Sequence, residues 1–285
     1  MKLQIRFTKA TGLGNDFVII DDREGILSSD PGELAVALCD RHFGVGADGL
    51  LILKKSVRAD FLMEYYNADG SHGGMCGNGG RSLAMYAYSR GMAGSNIRFE
   101  ALDHLYHAEV TNNGVRLRMK TPQDLRPDII LQVAGTRVDG FFVDTGSPHF
   151  VTFCNDLGGV DVELLGRLLR YHEQFQPHGT NVDFVKVLGK SELAVRTYER
   201  GVEAETLACG TGAVAAAFVS GLRRGVQSPV TVGVRSGDAL TVEIADPTEV
   251  WLEGGVDILF DGECLYDSDS HRISSSILQP GGLNE

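Results

Sequence analysis

The chain of 285 residues has no apolar run near the roughly 20 residues that a membrane-crossing helix needs, so no membrane partner is expected. The opening Met1-Lys2-Leu3-Gln4-Ile5-Arg6-Phe7 lacks the apolar core of a secretion signal, and a cytoplasmic protein is expected. Basic charge is in short supply: 26 Lys and Arg stand against 38 Asp and Glu, a net charge of −12. With no basic stripe and no interleaving of aromatic and basic residues, nucleic acid is not expected as a partner. Cysteine is sparse as well. The five cysteines are too scattered for a disulfide framework, and neither Cys76 nor Cys209 has a Cys or His nearby at zinc-ligand spacing. Reduced thiols and no metal are the expectation, and no motif specifies a nucleotide or dinucleotide cofactor.

What the chain does have is one motif twice. Met75-Cys76-Gly77-Asn78-Gly79-Gly80-Arg81 and Ala208-Cys209-Gly210-Thr211-Gly212-Ala213 each place a cysteine before a Gly-x-Gly turn that leads into an apolar, alanine-containing run, 133 residues apart (209 − 76). Other landmarks keep nearly the same offset, as a true internal repeat requires. Gly14-Asn15-Asp16-Phe17-Val18 aligns with Ser147-Pro148-His149-Phe150-Val151, Gly44 to Asp48 with Gly179 to Asp183, and Tyr66-Asn67 with Tyr198-Glu199. Both apolar stretches end in Arg-Gly, at Arg90-Gly91 and Arg224-Gly225.

The length suits two modest domains of roughly 100 to 150 residues each. Short β-branched or apolar runs bounded by Gly, Asp or Asn predict strands at 17–21, 50–53, 61–66, 97–100, 115–119, 141–144, 182–187, 193–198, 230–234 and 240–244. Helical pattern predicts helices at 33–39, 81–90, 162–171 and 213–223. The two helices after the cysteines are apolar almost all round, so each is expected to be wrapped by sheet. The fold class expected is α+β, two pseudo-repeated domains, each a curved, mainly antiparallel sheet around a central helix. The first half is assigned to 1–121 and the second to 122–257, with Pro122 and Pro127 interrupting regular structure between them. Residues 267–285, rich in Ser, Asp and Gly, are expected to be a mobile tail.

A cysteine that opens a helix sits where unpaired backbone N–H groups and the helix dipole favour negative charge, which raises the thiolate fraction. The same N–H groups hold a carboxylate. Two such thiols acting on one substrate carbon can remove a proton from one face and return one to the other, inverting a stereocentre by general acid–base catalysis. Against this stand two readings: that Cys76 and Cys209 are small buried hydrophobes, or that they form a redox pair. Their shared glycine-rich context at equivalent repeat positions favours the acid–base reading.

With these residues in view the chain resembles the diaminopimelate epimerases. The matching pieces are Gly12-Leu13-Gly14-Asn15-Asp16-Phe17, Arg41 to Gly49, Asn67-Ala68-Asp69-Gly70-Ser71, Gly146-Ser147-Pro148-His149, Gly179 to Phe184, Tyr198-Glu199-Arg200-Gly201 and both cysteine motifs. The resemblance implies that L,L-diaminopimelate is epimerised to the meso form, in lysine and peptidoglycan precursor biosynthesis, with no cofactor. It implies an active site in the cleft between the domains, a C-terminal strand of about 258–266 returning to the first domain, and a homodimer. By resemblance Cys76 and Cys209 are the acid–base pair, and Gly77, Asn78, Gly210 and Thr211 hold the reacting carboxylate. Asn15, Asn67, Asn181, Glu199 and Arg200 contact substrate, while His149 and Glu199 tune the thiols.

Taken alone, His149 reads as a structural histidine and Glu199-Arg200 as a surface ion pair. Some family members carry glutamine where this chain has Gly49 and asparagine where it has Ser147, so local substrate contacts are expected to differ here. Two competing readings are a two-thiol racemase of another amino acid, such as histidine or hydroxyproline, and a non-catalytic amino-acid-binding or redox-sensing relative. Asn67, Asn181 and Arg200 argue against the first, because groups built for a second amino-acid end are left unpaired by a simple amino acid.

Overall fold

A computed structural model of the chain describes residues 2–246 and 248–275. In chain order its elements are β1 (Lys2–Gly12), β2 (Asn15–Asp21), α1 (Pro31–Cys39), β3 (Gly49–Lys54), β4 (Phe61–Asn67), α2 (Gly77–Ser89), β5 (Asn96–Ala101) and β6 (His104–Thr111). Then follow β7 (Gly114–Met119), β8 (Gln123–Val133), β9 (Thr136–Asp144), β10 (Pro148–Phe153), α3 (Val162–Arg170), β11 (Asn181–Gly189), β12 (Glu192–Glu199) and β13 (Ala204–Glu205). The last are α4 (Gly210–Arg224), β14 (Val230–Gly233), β15 (Ala239–Asp246), β16 (Glu249–Gly254), β17 (Asp257–Asp267) and β18 (Arg272–Ser275). The chain divides into two compact units, residues 1–110 with 256–285 and residues 111–255. The first division falls before β7, earlier than the proline-marked point at 121, because β7 pairs antiparallel with β16.

In the first unit the strand order is β18-β17-β1-β2-β3-β4-β5-β6, antiparallel except for the β2–β3 and β4–β5 pairs. In the second it is β8-β9-β10-β11-β12-β14-β15-β16-β7, antiparallel except for β10–β11 and β12–β14. The alternation of antiparallel and parallel pairs from β1 to β6 is thus repeated from β9 to β15. Even the register repeats: Phe17 stands opposite Gly49 in one parallel pair, and Phe150 opposite Val182 in the other.

Each sheet has a helix on both faces, and strands covered on both sides read as continuous apolar runs. Leu50-Leu51-Ile52-Leu53 is fully buried. Side chains alternate between faces, so Leu50 and Ile52 pack with Leu34 and Leu38 of α1 while Leu51 meets Gly79 of α2. The second unit uses the same alternation for chemistry. Phe150, Val182, Phe184 and Tyr198 pack toward Val162 and Leu169 of α3. Their neighbours His149, Asn181, Asp183, Thr197 and Glu199 therefore face the α4 side.

Three expectations need correction. Helices α2 and α4 start at Gly77 and Gly210, not at Arg81 and Ala213. Low glycine propensity hid their first turns, but a Cβ on Gly80 would lie 2.9 Å from Met75 and 3.1 Å from Phe99, so the tight packing needs glycine there. Second, β8 runs through Pro127 rather than breaking at it. Register shifts between Gln123 and Arg126 and between Arg126 and Ile129, the second spanning Pro127, with Asp124 and Asp128 at φ of 49° and 56°, absorb the proline. Third, the segment from Asp267 to Ser275 is part of the fold rather than a mobile tail. Strand β18 pairs with β17, Ile273 joins the core beside Tyr266, and the Tyr266 hydroxyl meets His271 Nδ1 at 3.1 Å. The remainder of the expected tail, 276–285, lies outside the described residues.

Candidate active site

Cys76 is the N-cap of α2, in extended conformation (φ −97°, ψ 118°), and its Sγ accepts from the Gly79 amide at 3.4 Å. The next polar side chain, Asn78, is 5 % exposed and donates from Nδ2 to Asn15 Oδ1 at 2.9 Å. Asn15 in turn donates to Asp48 Oδ2 at 2.7 Å. The hairpin turn at Leu13 and Gly14, with φ of 58° and 84°, delivers Asn15 to this position. Asp48 and Asp16 share the Arg41 guanidinium at 2.7 and 2.8 Å. Burial alone would raise the Asp16 carboxyl, but hydrogen bonds and charge from Arg41 and Lys9 overrule it and hold it down at about 2. Asn67 ends β4 opposite Gly49 and donates to Ser71 Oγ at 2.9 Å. A Cβ on Gly49 would fall 2.4 Å from the Tyr65 ring and 2.7 Å from the Tyr66 carbonyl oxygen, so no larger side chain fits without a shift.

Cys209 is the N-cap residue of α4 in a similar extended conformation (φ −120°, ψ 111°), but it is buried and has the Glu199 and Asp183 carboxylates near it. Burial pushes the thiol well up, and the Glu199 and Asp183 carboxylates push in the same direction. Contacts with Thr211 and with the Gly212 amide act the other way without prevailing. Cys209 is thus held as a neutral thiol. Its Sγ lies 3.5 Å from Thr211 Oγ1, which lies 2.9 Å from His149 Nε2. His149 Nδ1 meets Asp183 Oδ2 at 2.7 Å, and Asp183 Oδ1 accepts from Thr197 at 2.7 Å. This chain of contacts runs from a thiol to a carboxylate with no solvent exposure at His149 or Asp183. Gly212 keeps it tight: a Cβ there would stand 2.5 Å from Asp183 Oδ1.

Glu199, at the end of β12, has its carboxyl raised by burial, which outweighs the lowering by Thr206 and His149, with Asp183 adding a smaller push upward. Asn181 is 2 % exposed and its amide is fully used: Nδ2 donates to Ser147 Oγ and the Pro148 carbonyl, and Oδ1 accepts from the Arg200 amide. It braces the loop that enters β10 just before His149. The Arg200 side chain reaches the His178 carbonyl at 3.4 Å. In the second unit the structure therefore joins Cys209, Thr211, His149 and Asn181, with Glu199 beside them. In the first it joins Asn78 and Asn15 beneath the Cys76 turn, with Asn67 on the strand next to Asp48.

Sequence reading assigned no role to Asp48, Asp183, Thr197 or Arg81. The signal for the two aspartates was present, since they end the repeated pieces Gly44 to Asp48 and Gly179 to Asp183. Each accepts from the residue that links to the cysteine helix: Asn15 in one unit and His149 in the other. Among the described residues no helix is long and apolar enough to cross a membrane, and all five cysteines are outside disulfides.

Comparison with known proteins gives a consistent family. A model of the diaminopimelate epimerase family matches residues 7–123 and 141–258. The chain is 46% identical to a diaminopimelate epimerase from Aquifex aeolicus, over 96% of this chain and 100% of that protein. It is 45% identical to one from Chlorobaculum tepidum, over 88% and 98%. Among solved structures, a hydroxyproline epimerase from Agrobacterium vitis with bound trans-4-hydroxy-L-proline superposes with a TM-score of 0.67 at 15% identity, covering 91% of this chain and 92% of that one. A phenazine biosynthesis protein of the PhzF family from Bacillus anthracis gives 0.68 at 14%, covering 92% and 99%. Those two likenesses show the fold.

Proposed function

Because the chain belongs to the diaminopimelate epimerase family, we propose that it is an isomerase interconverting L,L- and meso-diaminopimelate, a step of lysine biosynthesis. The observation that carries this reading is the placement of Cys76 and Cys209 as N-caps of the two repeated central helices. The amides of Gly77, Asn78, Gly210 and Thr211 lie in first turns, where no carbonyl of their own helix can pair with them. They suit a substrate carboxylate, and they stabilise the charge that develops on it when the adjacent Cα–H is lost.

In the forward direction Cys76 thiolate takes the α-proton: the C–H bond breaks, an S–H bond forms, and the electron pair delocalises into the carboxylate. Cys209 thiol then delivers its proton to the opposite face of the same carbon and is left as thiolate. No electron is gained or lost overall, and the step uses only the two thiols and the substrate. The neutral state of Cys209 fits the donor role. Glu199 and His149 tune it, the first directly and the second through Thr211. Asn15, Asn67, Asn181 and Arg200 complete the substrate site in this reading, with Asn181 acting through the loop it braces. The reading includes a homodimer in the cytoplasm, as the resemblance implies.

The family relatives at 46% and 45% identity favour diaminopimelate over the other amino acids turned over by proteins of this fold. The test is NMR of reduced protein with L,L-diaminopimelate in D₂O. Deuterium at the α-carbon together with meso product is the expected result. Turnover of hydroxyproline or histidine instead would reassign the substrate, and silence toward a panel of amino acids would leave a binding or sensing protein.

A further inference from the structure

The first-unit cysteine motif ends in Arg81, five residues after Cys76, and this arginine is fully buried. Its Nη2 donates to Asn78 Oδ1 at 2.7 Å, while Nε and Nη1 are buried with no hydrogen-bond partner among the described residues. Side chains on a helix lean back toward its N-terminus, and this one follows: a Cβ on Gly77 would lie 4.0 Å from Nη1. The guanidinium therefore lies along the first turn of α2, under the peptide that follows Cys76.

A buried cation needs a counter-charge. Charged groups on the strands packed around α2 pair with one another or with other residues: Lys9 with Asp16, Asp21 with Arg23, Lys54 with Glu64, Asp261 with Arg90 and Glu263 with Arg6. Burial lowers Arg81 to about 10, which still leaves it charged at neutral pH, and the charge that acts on it to restore protonation is that of Cys76. The repeat supplies a control. Five residues after Cys209 stands Val214, fully buried and uncharged, and Cys209 faces carboxylates instead.

We propose that Arg81 is a positioning residue that sets the resting roles of the two thiols: its buried guanidinium is the counter-charge that keeps Cys76 as thiolate, and its bond to Asn78 fixes the amide that orients Asn15. Asn78 Oδ1 is held by Arg81, so its Nδ2 must point at Asn15 Oδ1, and Asn15 Nδ2 is thereby aimed at Asp48. The cation is supplied to one half of the repeat alone, which makes two otherwise equivalent cysteines unequal before substrate arrives.

The use of that thiolate as base rests on the epimerase reading, so the test is made without substrate. Reduced protein is treated with iodoacetamide across a pH series, and the Cys76 peptide is followed by mass spectrometry. In the wild type the midpoint is expected below the ordinary thiol value of about 8.5. In Arg81→Met it should rise by about one pH unit or more, with alkylation at pH 7 slowed about tenfold, while the Cys209 peptide keeps its wild-type midpoint. Arg81→Lys should recover part of the shift. A folded Arg81→Met protein with an unchanged Cys76 midpoint overturns the proposal, even if its turnover is lost. So does a wild-type midpoint at or above about 8.5, which decides the matter even where Arg81→Met does not fold. Failure of the wild type to epimerise diaminopimelate would defeat the functional reading and leave the alkylation result standing.

Discussion

His149 Nδ1 lies 2.7 Å from Asp183 Oδ2, and neither side chain has any solvent exposure. A buried carboxylate against one imidazole nitrogen selects the tautomer with the proton on that nitrogen, leaving Nε2 to accept from the Thr211 hydroxyl at 2.9 Å. The hydroxyl is then turned so that its oxygen is presented to Cys209 Sγ, 3.5 Å away. Asp183→Asn would replace an acceptor by an amide that can donate, and would invert this sequence of bonds. We expect kcat to fall about 100-fold, the low end of what a misdirected acid–base group costs. Steady-state kinetics in both directions check it; a change confined to KM would count against the role of the chain.

Gly212→Ala tests the same network from the helix side. The added carbon would stand 2.5 Å from Asp183 Oδ1 and 3.2 Å from Thr197 Oγ1. Alanine is the better helix former, by about 1 kcal/mol. Propensity alone thus predicts stabilisation. Because the clash is with a buried carboxylate that has no room to retreat, we expect a net loss of about 1 to 3 kcal/mol in denaturant unfolding, together with reduced turnover. A more stable, fully active variant would show that Asp183 is not confined.

Cys76→Ser and Cys209→Ser should each lower epimerisation by at least about 100-fold, since a hydroxyl is too weak an acid to serve in place of the thiol. Global stability should change little, the side chains being nearly the same size. Chiral chromatography of the product and thermal unfolding, run side by side, separate the two effects. Wild-type turnover in either variant would defeat the two-base mechanism.

The outline of this fold was legible because it is written twice. The offset between Cys76 and Cys209 recurs in the register of the β2–β3 and β10–β11 pairs, and the apolar runs mark strands covered on both faces. The first turns of α2 and α4 were not legible, because glycines chosen for close packing against Phe99 and Asp183 look like loop residues. Strand β8 was hidden by Pro127, which an edge position with shifted register tolerates. Thr197 and Arg81 were invisible as site residues for a different reason. Both act through a neighbour, and pattern shows which residue types are present but not which of them meet in the core.

Acid should destabilise the first unit through Asp16. Its carboxyl is held at about 2, below its usual value near 3.8, by Arg41 and Lys9. A depressed carboxyl contributes stability that is complete above the unfolded value and is lost as pH falls toward the folded one. The window is therefore from about pH 5 down to 2, and the loss is up to about 2 kcal/mol at 1.36 kcal/mol per unit. Asp16→Asn removes the term. It should be less stable than wild type at pH 7 and converge on it near pH 2, as followed by urea unfolding at a series of pH values.

Cys209 offers the complementary measurement. Burial raises its thiol first, and the Glu199 and Asp183 carboxylates add to that. Glu199→Gln removes one of the two charges while leaving the burial and the shape, so the thiol should ionise more readily and alkylate several-fold faster at pH 8. Turnover should nonetheless fall. A thiol that surrenders its proton to solvent is a poorer donor to the substrate carbon, so faster alkylation and slower epimerisation must appear together. If Glu199→Gln left alkylation of the Cys209 peptide unchanged, burial alone would be setting the thiol, and Glu199 would be left with substrate contact as its remaining role. The two outcomes part on a single peptide mass and one rate.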